Sequence, residues 1–245
     1  MLTVRLLKSS ESDLLHDQTK EFYEPLQVAL EKNDEYLVSI IRRSLSYLSF
    51  LAGDNERAIE LATATGRIGS SHYSYWSFGS SRRRQGPTPL DAYEWFLDGL
   101  IALARAREVV GGSLERRRLI QRGRLRWNGL KRLCRTCPFH CRTKYLLLEA
   151  EIAVLVRRQA WMANELYDAA ISMASRDGGG VKEQGIANEI AARHYWYDMN
   201  DPSKAIFYYR NARSCYANWG AFALVAWTTK TIGELESKIR LNLKS

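Results

Sequence analysis

The chain has 245 residues, 46% apolar and 26% charged, with seven Trp and thirteen Tyr. That balance excludes general disorder and suffices for one large domain or two small ones. The formal net charge is +9, and no stretch approaches the roughly 18 uncharged apolar residues of a membrane-spanning helix.

Ala, Leu, Arg and Glu dominate, and β-branched runs with period-two alternation are missing, so helix is the expected state. The N-terminal MLTVRLLKSSESD has neither the apolar core nor the small-residue cleavage site of a signal peptide. The expected compartment is cytoplasmic, with the four cysteines reduced. Residues 19–32 read as a helix begun or interrupted near Pro25. Residues 34–51 form a strong helix, with Leu37, Ile40, Ile41, Leu45, Leu48 and Leu51 three and four apart. Gly53 and Asp54 end it, and 55–65 start another, capped by Asp54 or Asn55. Residues 66–89, rich in Gly, Ser, Arg and aromatics and ending in two prolines, read as an irregular loop that includes Arg82, Arg83 and Arg84.

A helix restarts at Thr88 or Asp91 and runs to Gly111-Gly112. Ser113 caps the next, which reaches Cys134. Five more follow at about 143–157, 160–176, 182–198, 202–218 and 220–240. Asp201 followed by Pro202 is the strongest start signal. These helices repeat: Ala163, Tyr167 and Ala170 align with Ala205, Tyr209 and Ala212, and EAEIA (149–153) with NEIAA (188–192). Small alanines let antiparallel helices approach closely and tyrosines fill the gap to the next pair, the logic of tetratricopeptide-like (TPR-like) hairpins.

Few residues suggest chemistry. Cys134, Cys137, His140 and Cys141 form the ligand set of a zinc site. They lie in one short run without a second Cys/His pair, unless Cys215 or His194 folds back. The stretch is therefore read as a Pro-containing turn between two helices, with no metal. Cys137 to His140 would form that turn and Cys141 would begin the next helix. His194, in AARHYWY, reads as a packed or half-exposed histidine. Glu149/Glu151 and Glu234/Glu236 lie two apart on helices, face different ways, and read as solvated or salt-bridged. No HExxH, P-loop, GxGxxG or GxSxG pattern occurs, and no catalytic residue or cofactor is assigned. An enzyme reading would rest on His194 or Cys137.

Residues 116–135 carry nine Lys/Arg and no acid, which equals the whole net excess. Leu119, Ile120, Trp127, Leu130 and Cys134 form an apolar stripe. Arg116, Arg117, Arg118, Arg122, Arg124, Arg126, Lys131 and Arg132 form a candidate face for an anionic partner. The bland alternative is a solvated cationic face balanced by acids on a neighbouring helix.

CPFHCRTKYLLLEAEIA, ELYDAAISMA, ANEIAARHYW and KAIFYYRNARSCYANWGAFALV together resemble one particular helical-repeat region. It lies inside very large signalling kinases of fungi and cyanobacteria, between protein-kinase-like and P-loop ATPase domains and a GAF sensor with a histidine-kinase core. LEKNDEYLVSIIRRSLSYLSFLAG and SLERRRLIQRGRLRWNGLKRLCRTCP resemble earlier parts of it. The junction there holds Cys-Pro, a His, then Lys-Tyr, matched loosely by Cys137, Pro138, His140, Lys144 and Tyr145. The resemblance is most specific over 137–222, and the loop 66–89 departs from it.

The expected fold is all-α: TPR-like antiparallel hairpins stacked in a right-handed superhelix. One continuous domain is expected over 1–245, with the best-matched repeats at 137–240. The resemblance implies a non-catalytic interaction or relay module in phosphorelay signalling, as a fragment or free-standing copy. Its partners would be kinase, ATPase or receiver domains, or a second copy of the chain. The expected contact surfaces are a concave face lined by tyrosines and tryptophans, and the basic helix. The alternative is a polyanion or nucleic-acid binder that uses residues 116–135.

Overall fold

The computed structural model describes residues 23–51, 54–64, 89–157, 159–176 and 180–242, and all regular structure among them is helical. Ten helices follow in order: α1 (23–31), α2 (Glu35–Leu51), α3 (55–64), α4 (Pro89–Glu108), α5 (Leu114–Leu133), α6 (Pro138–Ile152), α7 (Ala160–Arg176), α8 (Gly180–Tyr197), α9 (Pro202–Trp219) and α10 (Phe222–Asn242). A π-helical turn, Ala153–Arg157, extends α6. The expected loop 66–89 lies outside the described residues except for Pro89, which is already helical. The Thr88 cap and Arg82, Arg83 and Arg84 lie outside them too.

The described residues divide into two compact units: those up to 64 with Leu100–Arg122, and Pro89–Gly99 with Gly123–Asn242. In the first, Leu26 and Ala29 of α1 pack with Val38, Ile41 and Leu45 of α2 and Leu61 of α3. Among the described side chains of α2, Val38, Ile41, Leu45 and Phe50 are buried and Leu37 is exposed, while Ile40, Leu48 and Leu51 lie outside the described side chains. Val38 keeps the same three-and-four spacing from one position further on, so periodicity alone admits either residue. Ser46, buried on α2, donates to the Ala58 carbonyl at 2.8 Å and joins α2 to α3. Asp34 and Asp54 accept from the N–H groups of Leu37 and Arg57 at 3.0 Å and cap the two helices.

In the second unit, α6 packs on α7, α7 on α8, α8 on α9 and α9 on α10, and α6 also reaches α8. The helices run as antiparallel neighbours in sequence order. Ala163, Tyr167, Ala170 and Ala174 are the buried positions of α7; Ala205, Ile206, Tyr209, Ala212 and Tyr216 are those of α9. The aligned Ala/Tyr pattern is thus the buried face of both helices. Asp201 accepts from the Lys204 N–H at 3.0 Å with Pro202 at the first turn, and Gly220 closes α9 with a left-handed φ of 81°. The sequence between these helices and the last one leads into a core of Ala192, Tyr195, Ala205, Tyr209, Ile232 and Leu235, with Trp196 and Trp227 against it.

Three starts differ from expectation, among them α10, which begins at Phe222 rather than 220. α6 begins at Pro138 rather than 143, because proline at the first turn needs no N–H partner and is already set for helix. α8 begins at Gly180 rather than 182.

Gly185 of α8 faces Tyr216 closely enough that a Cβ there would lie 2.7 Å from the ring. Gly233 of α10 has nothing within 4 Å of such an atom. Gly185→Ala should therefore destabilise by about 1–2 kcal/mol, since overpacking exceeds the gain in helix propensity. Gly233→Ala should stabilise by up to about 1 kcal/mol. Urea unfolding followed by helical circular dichroism reads both; equal shifts of the same sign would contradict the packing described.

Candidate functional site

The basic helix α5 starts as expected, with the Ser113 hydroxyl accepting from the Arg116 N–H at 3.1 Å. Leu119, Leu130 and Leu133 are buried, while Ile120, Trp127 and Cys134 are half-buried. The eight cations of the candidate anionic-partner face divide into two sets. Arg116 donates from Nε to the Ala106 carbonyl at 3.1 Å, and Arg122 donates to the Thr63 hydroxyl at 2.8 Å. Arg126 pairs with Asp98 of α4 at 2.5 Å. These three flank the buried stripe and reach neighbouring helices. Arg117, Arg118, Arg124, Lys131 and Arg132 are exposed, with the Lys131 ammonium 5.0 Å from the Trp127 ring centre. Charge–helix balancing on a neighbour thus accounts for Arg126, whereas the exposed set remains turned toward solvent.

At the junction, Cys134 follows the last residue of α5, Cys137 is the N-cap of α6, and Pro138 to Cys141 are already helical. The turn is therefore 134–136, earlier than expected, for the proline reason given above. Cys134 and Cys137 are half-buried and Cys141 is fully buried. His140 is exposed and sits edge-on to Phe139, with ring centres 5.5 Å apart. No group of three or more Cys, His, Asp or Glu among the described residues is arranged to hold a metal ion. Burial pushes the Cys134 thiol up and the Cys141 thiol up to about 12. Cys215 on α9 is half-buried and raised by the same cause.

His194 is packed: it is fully buried on α8. Its Nδ1 lies 3.0 Å from an Asp198 carboxylate oxygen and its Nε2 lies 2.9 Å from Asn164 Oδ1 of α7. The Tyr167 and Tyr195 rings flank it, with centres 5.1 and 5.5 Å away. Glu151 is not solvated. It is buried and accepts a 2.5 Å hydrogen bond from the Tyr167 hydroxyl, because α7 covers that face of α6. Glu149 lies 4.0 Å from Arg157, and Glu236 pairs with Arg210 at 2.9 Å.

The polar groups that sequence reasoning missed are the ones that join helices. Glu189, buried at the centre of α8, accepts from Tyr216 at 2.5 Å and from Arg193 at 2.6 Å. Buried Lys144 of α6 bonds to the His140 carbonyl at 2.9 Å and pairs with Glu183 of α8. Tyr208 of α9 donates to Asp168 of α7 at 2.6 Å. The one signal available in sequence was the i, i+4 spacing of Glu189/Arg193 and His194/Asp198. The repeat tyrosines Tyr167 and Tyr209, expected to fill the gap between helix pairs, are core residues. Tyr167, Tyr195, Tyr209 and Tyr216 are all buried, while Trp161, Tyr197, Phe207, Trp219 and Phe222 are the exposed aromatics on α7 to α10. A depression beside Lys144 and Glu183, lined also by Tyr93, Phe96 and Thr143, is no larger than a water molecule.

No family model matches the chain, and neither a curated protein nor a solved structure matches it.

Several acids in this unit hold their protons more tightly than usual. Burial raises the Tyr209 phenol; burial and then the hydrogen bond to Asp168 raise Tyr208; burial and then Glu149 raise Tyr145. The ordinary values are 9.0 for the thiols and 10.0 for these phenols. Each folded-state value lies above its unfolded counterpart, so the folded chain keeps its protons where the unfolded chain loses them. Stability should be unaffected below about pH 9 and should fall as pH rises toward about 12. Thermal melts across that range, with tyrosinate absorbance followed in parallel, check this. Full phenol ionisation before loss of helix would refute it.

Proposed function

We propose that this chain is a non-catalytic helical-repeat interaction module, acting as a relay segment between domains of a phosphorelay signalling protein. One observation carries the non-catalytic part. The side chains with chemical capacity in the repeats, Glu151, Glu189, Lys144 and His194, are buried and bonded to residues of neighbouring helices. Their role in that reading is to hold helix seams together, which leaves the exposed side chains for partners. Trp161 and Phe207, 62% and 58% exposed on α7 and α9, are the proposed anchors for a protein surface. The phosphorelay setting rests on the resemblance of residues 137–222 described above. Protein partners, a cytoplasmic location and TPR-like superhelical stacking belong to the same proposal.

A second reading has its own observation. Arg117, Arg118, Arg124, Lys131 and Arg132 of α5 are exposed, and no acid lies within 116–135. Such a face could neutralise the phosphates of a polyanion, in which case binding would weaken steeply with salt.

One experiment separates the two. The purified chain is immobilised, exposed to native extract, and washed at low and at moderate salt. It is run beside Trp161→Ala/Phe207→Ala and Arg124→Glu/Lys131→Glu/Arg132→Glu variants. The interaction module should retain kinase- or receiver-type proteins at moderate salt and lose them in the aromatic variant only. Recovery of nucleic acid alone, lost with salt and in the charge-reversed variant, would replace it with the polyanion reading.

A further inference from the structure

The antiparallel order of α6 to α10 brings the starts of α6, α8 and α10 and the ends of α7 and α9 to one end of the second unit. Two contacts tie this end together. Lys144, near the start of α6, pairs with Glu183 in the first turn of α8. The Lys182 ammonium lies 5.2 Å from the ring centre of Trp219, the last residue of α9, and 4.5 Å from that of Tyr93 on α4. Large apolar side chains project from the same end. Phe139, in the first turn of α6, is 56% exposed; Phe222, the first residue of α10, is 77% exposed; and Trp219 is exposed beside it in sequence. Exposed cations accompany them: Arg132 on the last turn of α5, Arg135 in the turn before α6, Arg142 early in α6 and Arg176 at the end of α7. No acid occurs from 116 to 148, and Glu183 is already paired.

We propose that this end of the second unit docks on an anionic lipid bilayer. Phe139, Trp219 and Phe222 enter the boundary between headgroups and acyl chains, while Arg132, Arg135, Arg142 and Arg176 meet the lipid phosphates and carboxylates. Cations alone suit any polyanion, and the apolar tips decide for lipid. Headgroups take the guanidinium charges and the acyl boundary removes the rings from water, so one partner satisfies both sets. An indole, apolar in body with one N–H to hydrate, belongs at that boundary. The three rings stand on different helix termini and offer no continuous stripe along which a partner helix could lie. The docking is peripheral: the chain lies on the membrane by one end. It is separate from the protein anchors proposed above, since Trp161 begins α7 at the opposite end of these helices.

Flotation of the full-length chain with phosphatidylcholine vesicles, with and without phosphatidylserine, tests this. The chain should float with the phosphatidylserine vesicles only. Phe139→Ala/Phe222→Ala should weaken that binding about tenfold, because both rings then stay out of the bilayer. Arg132→Glu/Arg135→Glu should weaken it by about tenfold or more. Lipids brominated on the acyl chains should quench tryptophan fluorescence in the wild type and much less in Trp219→Phe. Phe222→Ser serves in place of the double alanine variant where that variant loses its helical spectrum. Trp161→Ala/Phe207→Ala should leave vesicle binding unchanged, so this proposal and the protein-interaction reading fail separately. Binding to neither vesicle, or equally to both, overturns the proposal. So does anionic-vesicle binding that the phenylalanine variants leave unchanged and that brominated lipid does not quench, which would assign these cations to a polyanion such as nucleic acid.

Discussion

The second unit depends on one buried carboxylate. Glu189 sits at 2% exposure on α8, a helix covered by α6, α7 and α9. Removing a charge from water costs several kcal/mol, and leaving it unpaired costs about 3–5 kcal/mol. The Tyr216 hydroxyl and the Arg193 guanidinium meet that requirement from two directions, one across the α8–α9 seam and one from the next turn of α8. Arg193 in turn lies 5.6 Å from the Trp227 ring centre, carrying the arrangement outward to α10. α9 therefore has one favourable axial position against α8. Gly185 lets the Tyr216 ring pack closely at that position, since a Cβ there would lie 2.7 Å from it.

The legible parts of this fold were those in which a local signal coincides with the tertiary one. Asp201-Pro202 and Ser113 cap their helices because short polar side chains satisfy nearby N–H groups whatever surrounds them. The Ala163/Tyr167/Ala170 and Ala205/Tyr209/Ala212 faces were readable because each of these helices has a single buried stripe. α8 was harder. Residues 185–192 are all buried, so no amphipathic period exists to reveal which polar residues lie inside. Glu189 and Glu151 look like surface carboxylates until their covering helices are in place. Tyrosine is ambiguous for the reverse reason, since a phenol suits a wet face and a core equally and only the partner at its hydroxyl decides.

The basic helix shows how much a charge run conceals. Nine cations in succession look uniform in sequence, yet their positions around α5 give them different fates. Arg116, Arg122 and Arg126 extend along the flanks to a carbonyl, a hydroxyl and a carboxylate. Arg117, Arg118, Arg124 and Arg132 are exposed among the described residues. Arginine suits both positions: its stem covers apolar surface while its head keeps several donors available.

The Glu–Tyr bonds have a consequence for how such an array can change length. Glu151 is satisfied by Tyr167 within the α6–α7 hairpin, and Glu189 by Tyr216 within α8–α9. Each pair of helices thus brings its own partner for its own buried carboxylate, and duplicating a pair strands neither. Lys144 and His194 are different, because they reach Glu183 and Asn164 in the adjoining hairpin. A gene that gained or lost one hairpin would keep the hydrogen bonds to Glu151 and Glu189 but would have to find new neighbours for a lysine and an imidazole. Copy number is thus open to evolution at Glu151 and Glu189 and constrained at Lys144, His194 and Asp168, whose partners lie in the adjoining hairpin.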